Sequence, residues 1–173
     1  RADAALAAAP RAGVTGAMIV ADLDHFKAIN DSNGHEAGDR VIAAFAEVLG
    51  ATADERAIIG RLGGEEFAVF IPGANLTAAR LCAEGVRTGF SNLSIAHLEP
   101  GSRVSASFGV AQLRQGDSLS ELMRRADMAL YQAKKGGRDR VCLAAADALP
   151  PRNAAPAGDR RRGSRQPRRE PGR

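Results

Sequence analysis

The chain has 173 residues, of which 45% are hydrophobic and 25% charged, with six Phe, one Tyr and no Trp; that suffices for one domain with an aliphatic core and excludes two catalytic domains. No apolar run approaches the roughly 20 residues that span a bilayer, and the start lacks a signal-peptide pattern. The formal charge of +4 does not mark a nucleic-acid surface, because the segment from Asp147 onward carries eight Arg against three acids and leaves −1 for the rest.

In chain order, residues 2–9 favour helix up to Pro10, and residues 13–22 form a continuous apolar run that reads as a buried strand. Asp22-Leu23-Asp24-His25-Phe26-Lys27 follows where that strand ends and a helix begins. An unpaired buried carboxylate costs several kcal/mol, so Asp22 calls for a cation, a donor network or a metal. The open amides of His25 and Phe26 at the helix start suit an anion such as phosphate. A plainer role also fits these residues, with Asp24 capping the helix and Asp22 a satisfied structural acid. Helical spacing of Phe26 and Ile29, a break at Asn33-Gly34-His35, and spacing of Val41, Ile42, Phe45, Val48 and Leu49 give two helices joined by a turn.

Residues 57–59 and 67–71 read as strands around Gly63-Gly64-Glu65-Glu66-Phe67. The glycines fall where a tight turn needs positive φ, and the two acids at its tip repel each other, an arrangement that a divalent cation relieves. A simple hairpin with solvated acids has the same composition. Residues 76–90 are helical, residues 104–113 alternate as a strand, and Ser118 with Glu121 opens a last helix that Gly136-Gly137 ends. Lys134 and Arg138 close that helix, as dipole-complementing cations or as anion ligands. Cys82 and Cys142 lie in apolar contexts and read as small buried hydrophobes of a reducing compartment. Residues 147–173 are rich in Pro, Gly, Ala and Arg and read as a disordered tail capable of weak contacts with anionic surfaces.

Five segments in order, Asp22 to Lys27, Asn30-Asp31-x-x-Gly34-His35-x-x-Gly38-Asp39, the GGEEF hairpin, Ser107-Phe108-Gly109-Val110-Ala111, and the helix from Ala126 to Arg138, resemble the GGDEF family of diguanylate cyclases over about residues 12–141. The resemblance implies an α/β fold with a palm-like, mainly antiparallel central sheet of about five strands flanked by helices, similar to nucleotide cyclases. It divides the chain into 1–11 as the remnant of an N-terminal helix, 12–146 as the catalytic domain, and 147–173 as the tail. The implied activity condenses two GTP into cyclic di-GMP, a bacterial second messenger, with release of two pyrophosphates.

Position by position, the resemblance implies that Asp22 and Glu65, with the carbonyl of Leu23, hold Mg²⁺ or Mn²⁺. Asn30 and Asp39 would read the guanine edge, with His35 beside the nucleotide. The amides of His25 and Phe26, together with Lys134 and Arg138, would hold the β and γ phosphates, and Lys27 would offset charge on the α phosphate. Glu65 would help to deprotonate the attacking 3′-hydroxyl with Glu66 in support, and Gly63 and Gly64 would let the nucleotide approach the turn. Each domain would carry one GTP, so the active species would be a homodimer.

Two departures qualify this. The family's RxxD product-inhibition motif aligns with Asp54-Glu55-Arg56-Ala57, which lacks its first Arg and last Asp, so no such inhibition is expected. The family's DxLTGLxNR entry segment is absent, which implies an upstream sensor or dimerising module missing from this chain. The expected location is a cytoplasmic domain whose parent is compatible with a membrane anchor. A catalytically silent module that binds GTP or a protein partner is the alternative, weakened by the retained acids. A cyclase making a mixed purine dinucleotide is another, weakened by Asp39.

Overall fold

The computed structural model describes residues 15–96, 98 and 102–145. The expected helix at 2–9 and the tail at 147–173 lie outside the described residues. Among the described residues nine elements follow one another: β1 (Gly16–Leu23), α1 (Phe26–Asn33), α2 (His35–Thr52), β2 (Ile58–Gly63), β3 (Glu66–Pro72), α3 (Leu76–Ser91), β4 (Ala106–Gln112), α4 (Leu119–Lys135) and β5 (Val141–Leu143). They build one five-stranded sheet in the order β2-β3-β1-β4-β5, antiparallel except for the parallel β4–β5 pair. The expected mainly antiparallel α/β sheet is what the chain forms.

β1 is apolar without a break because it is the central strand and both its faces are covered. Ala17, Ile19, Ala21 and Leu23 pack on one face in a core shared with Val41, Phe45 and Leu49 of α2 and Ala83, Val86 and Phe90 of α3. Met18 and Val20 pack on the other, against Leu122, Ala126 and Leu130 of α4. The alternation is the two-residue period of a strand. Phe45 anchors the first face, with ring centroids 4.9 Å from Phe67 and 5.1 Å from Phe90 in an edge-to-face pair.

The helix starts are written locally. Ser118 accepts from the amide of Glu121 while the Glu121 carboxylate accepts from the amide of Ser118, closing the expected capping box of α4. At its other end the amide of Arg138 donates to the carbonyl of Ala133 at 3.0 Å and Gly137, at φ 114°, takes the left-handed position of a Schellman turn.

Three sequence expectations need adjustment. β5 was not among the strands the residues suggested; its three residues owe their conformation to pairing with Phe108, Gly109 and Val110. Only Gly64 of the hairpin glycines has positive φ, at 46°, since Gly63 still belongs to β2. Cys82 and Cys142 are free thiols but only half-buried.

Candidate active site

The even positions of β1 that face α4 continue past the apolar residues to Asp22, so the strand delivers a carboxylate to the underside of the last helix. Lys134 meets it there, with its ammonium 2.7 Å from Asp22 Oδ2. Burial pushes the Asp22 carboxyl above its ordinary range; the bond and charge of Lys134 oppose this, and the nearby charges of Glu65 and Glu66 reinforce it. The β1–β3 register sets Asp22 opposite Glu66, and the amide of Leu23 donates to the carbonyl of Glu65 at 3.3 Å. The hairpin tip is thereby tied to the end of β1. Arg61 closes the turn from within, Nε donating to the carbonyl of Gly64 at 2.8 Å.

The oxygen donors of this corner fit a hard divalent cation. Asp22, Glu65 and the Leu23 carbonyl are the donor types that Mg²⁺ or Mn²⁺ takes, and mutually repelling carboxylates beside a buried one supply the electrostatic reason. Among the described residues no three His, Cys, Asp or Glu side chains are grouped as a metal cage. Mg²⁺ rarely needs one, because it is held by one or two carboxylates and fills its shell with water and substrate phosphate.

Asp24 is not the helix cap that its position suggests. The N-cap of α1 is His25, in the left-handed conformation at φ 57° and without a side-chain cap bond. Asp24 instead turns into the protein, 4% exposed, and accepts three hydrogen bonds: from the Ser105 and Ser107 hydroxyls at 2.7 Å each and from the amide of Asp139 at 3.0 Å. Its own amide donates to the carbonyl of Ser105. Three acceptor bonds offset the cost of burying the carboxylate. Among the described residues the non-glycine positive-φ positions are His25, Arg138 and Asp139. Asp139 is bonded to this carboxylate, His25 follows Asp24 in the chain and Arg138 precedes Asp139, at about 1–2 kcal/mol of left-handed strain each.

The other expected residues lie on α1, on α2 and after α4. Asn30 is half-buried on α1, with Oδ1 sheltered from solvent and without a hydrogen-bond partner. A Cβ on Gly38 would stand 1.9 Å from that oxygen, so Gly38 is what lets α1 and α2 close around Asn30. His35 is the first residue of α2 and Asp39 follows one turn later, both exposed. Lys27 is exposed and pairs with Asp31 on its own helix at 3.0 Å, not with the carboxylates. Arg138 is exposed, and its carbonyl accepts from Arg140 Nε at 3.0 Å.

Sequence reading missed the partners of Asp24 and the bridge from Arg87 on α3 to Asp139, 2.9 Å long. The one legible signal was the alternate spacing of Ser105 and Ser107, which puts both hydroxyls on one face of the chain entering β4. A cleft of about 580 Å³ lies elsewhere, lined by Thr52, Asp54, Arg56, Gly73 and Cys82 among others, at the opposite end of β3 from Glu66. A second hollow, of about 720 Å³, borders the corner itself, since Ser105 and Asp139, both bonded to Asp24, are among its lining residues. We take the carboxylate corner as the site, because a buried carboxylate, a cation bound to it and strained backbone occur together there.

A family model described as "Diguanylate cyclase, GGDEF domain" matches residues 1–140. The chain is 44% identical over 133 residues to diguanylate cyclase VdcA of Vibrio cholerae, covering 75% of this chain and 39% of that protein. It is 40% identical over 127 residues to diguanylate cyclase DgcM of Escherichia coli, covering 73% and 30%. The chain thus spans only 30–39% of the length of these relatives. Among solved structures it superposes with a TM-score of 0.75 on the coiled coil and GGDEF domain of DgcB from Caulobacter crescentus in complex with c-di-GMP, at 36% identity over 83% of this chain and 76% of that one. The active GGEEF domain of a Vibrio cholerae diguanylate cyclase gives 0.72 at 33% identity, over 76% and 83%.

Proposed function

The chain belongs to the GGDEF family of diguanylate cyclase domains, and from that premise we propose that it condenses two GTP into cyclic di-GMP with release of two pyrophosphates. The observation that carries this is one meeting point: Asp22 from the first strand, the Glu65 turn and Lys134 from the last helix come together at one corner.

Asp22 and Glu65, with the Leu23 carbonyl, would hold Mg²⁺ or Mn²⁺, whose charge lowers the pKa of a sugar hydroxyl and polarises the α phosphate. Everything else is assigned to the chain. The amides of His25 and Phe26 sit at an uncapped helix start and suit phosphate oxygens. Lys134 and Arg138 add positive charge for the β and γ phosphates; a chelated triphosphate would offer Lys134 its oxygens at the point where Asp22 gains a cation. Lys27 is free to swing from Asp31, since that exposed pair is worth well under about 1 kcal/mol. It would offset charge growing on the α phosphate, the main task in phosphoryl transfer.

Asn30 and Asp39 would select the base. The Asp39 carboxylate accepts from the N1 and N2 hydrogens of guanine, a donor pair adenine lacks. His35 would lie beside the nucleotide. Gly63 and Gly64 leave the turn without side chains where the nucleotide approaches. Glu65 would accept the proton of the 3′-hydroxyl, with Glu66 in support. One domain positions one GTP, so closing the ring requires two domains facing each other across a two-fold axis.

Product inhibition through the stretch before the hairpin is not part of this proposal. Arg56 is turned onto Asp54, with Nε and Nη2 at 3.0 and 3.1 Å from its two oxygens, and this pair holds Asp54 at a pKa of about 2. Incubation with GTP, ATP or both in the presence of Mg²⁺, followed by chromatography, tests the activity. Cyclic di-GMP should form only where GTP is supplied, and Glu65→Gln should abolish it while urea unfolding is unchanged. Normal synthesis by that variant, or a product from ATP, refutes the assignment.

A further inference from the structure

The turn that ends α4 is held from two sides. After Gly137 at φ 114°, Arg138 and Asp139 continue at φ 64° and 41°, three consecutive residues in the left-handed region, two of them with side chains that disfavour it. Such a backbone persists only where its surroundings fix it. The buried Asp24 carboxylate accepts the amide of Asp139 at 3.0 Å, and on the outer side Arg87 Nη1 donates to Asp139 Oδ1 at 2.9 Å. Arg87 is itself oriented by Glu84, one turn back on α3, whose carboxylate accepts from Nε at 2.9 Å. Among the described residues these are the side chains bonded to Asp139 that reach it from elsewhere in the sheet and helix layers. Asp139 is the residue next to Arg138, whose own side chain is exposed and in no ion pair among the described residues. Its backbone is held by its own amide's bond to the Ala133 carbonyl, by Arg140 Nε on its carbonyl and, through the next residue, by what grips Asp139.

We propose that Arg87 is a positioning residue for phosphate recognition: acting through Asp139 from a different helix, it holds the strained turn that presents Arg138 to the β and γ phosphates. The proposal rests on the reading of Lys134 and Arg138 as the phosphate grip. Arg87 touches no part of the nucleotide. Loss of the bridge frees the turn to relax, so the entropy of re-forming it is charged to the binding of whatever Arg138 must hold. A ligand without β and γ phosphates does not meet that cost.

The test compares two nucleotides by calorimetry in the presence of Mg²⁺: a GTP analogue with a methylene group between the α and β phosphorus atoms, which cannot be condensed, and GMP. Arg87→Met should weaken the analogue about threefold to fivefold, the range expected for a partly exposed ion pair, and leave GMP unchanged. Asp139→Asn, which keeps a residue tolerant of the left-handed conformation, should match it, and the double variant should be no worse than either single one. Equal weakening of both nucleotides, additive effects in the double variant, or no change in the analogue overturns the proposal. If the unsubstituted chain binds neither nucleotide, the guanine-nucleotide reading itself falls and this one with it. If it binds both and Arg87→Met is indistinguishable from it, only this one falls.

Discussion

Gly109 lies in the middle of β4 beneath α4, and replacing it with Ala puts the seating of that helix to a quantitative test. An added Cβ would stand 2.0 Å from the carbonyl oxygen of Ala126, 2.2 Å from the amide nitrogen of Leu130 and 2.9 Å from its Cα. All three are backbone atoms, so no side chain can rotate away. Restoring ordinary contact near 3.4 Å means lifting α4 by roughly 1.4 Å, and a gap of that size forfeits at least half of the dispersion energy of the atoms it separates. Those atoms belong to Leu122, Ala126 and Leu130, packed against Met18, Val20 and Phe70. Overpacking costs about 1–3 kcal/mol when side chains can adjust, so about 3 kcal/mol or more is expected here. Urea unfolding with a slope of about 2 kcal/mol/M should shift its midpoint down by about 1.5 M. Lys134 travels with the helix, and the 2.7 Å bond to Asp22 would stretch, so activity should fall beyond what the loss of folded protein accounts for. A variant within about 0.5 kcal/mol of the unsubstituted chain would show that α4 does not sit this close to the sheet, and the proposed phosphate grip would lose its geometric support.

Gly50→Ala is the opposite case, since Gly50 lies in α2 with nothing within 4 Å of an added Cβ; a gain of about 0.5–1 kcal/mol in urea is expected, and a loss contradicts the open setting. Arg125 lies on the buried face of α4, bonded to Asp117 and to the carbonyl of Gln112 at 2.8 Å, and burial pulls its pKa below the usual guanidinium range. Asp117→Ala should therefore cost about 3–5 kcal/mol by leaving that charge uncompensated, and a loss below 1 kcal/mol would show that the cation reaches water. Burial, with a smaller contribution from Asp54, raises the Cys82 thiol above its ordinary value of about 9. In a Cys142→Ser background, iodoacetamide at pH 8 should modify Cys82 several-fold more slowly in the folded chain than in urea, because less thiolate is present; equal rates contradict this. The sign for stability follows: the raised value favours the fold while the thiol is neutral, and that contribution fades as pH rises from about 9 through the higher folded value.

What the sequence made legible is what is encoded within a few residues. The run before Asp22 marks the central strand because both faces of β1 are covered, and Ser118 with Glu121 marks a helix start whose bonds span only three positions. Asp24 shows where such reading stops. Followed by a helix, an Asp at that place is a natural cap, yet its partners lie 81, 83 and 115 residues away, and no local pattern carries such distances. The bond from Lys134 to Asp22 is equally long-range, and the residues alone left Lys134 as an ordinary helix-end cation. β5 escaped notice because three residues carry no periodicity and its register is borrowed from β4. The candidate residues could thus be named in order from the sequence, while the bonds made by Asp24 and Lys134 could not.

The strand order has a consequence for how such a domain comes into being on a ribosome. β1 is synthesised first but is flanked by β3 and β4, so its edges wait for partners made much later, and Asp22 meets its ammonium only when the last helix has emerged. Pairings so distant in sequence form slowly and late. A nascent chain that has already displayed its GGEEF turn still lacks half of the charge arrangement, so the pairing of Asp22 with Lys134 is withheld until α4 has been made.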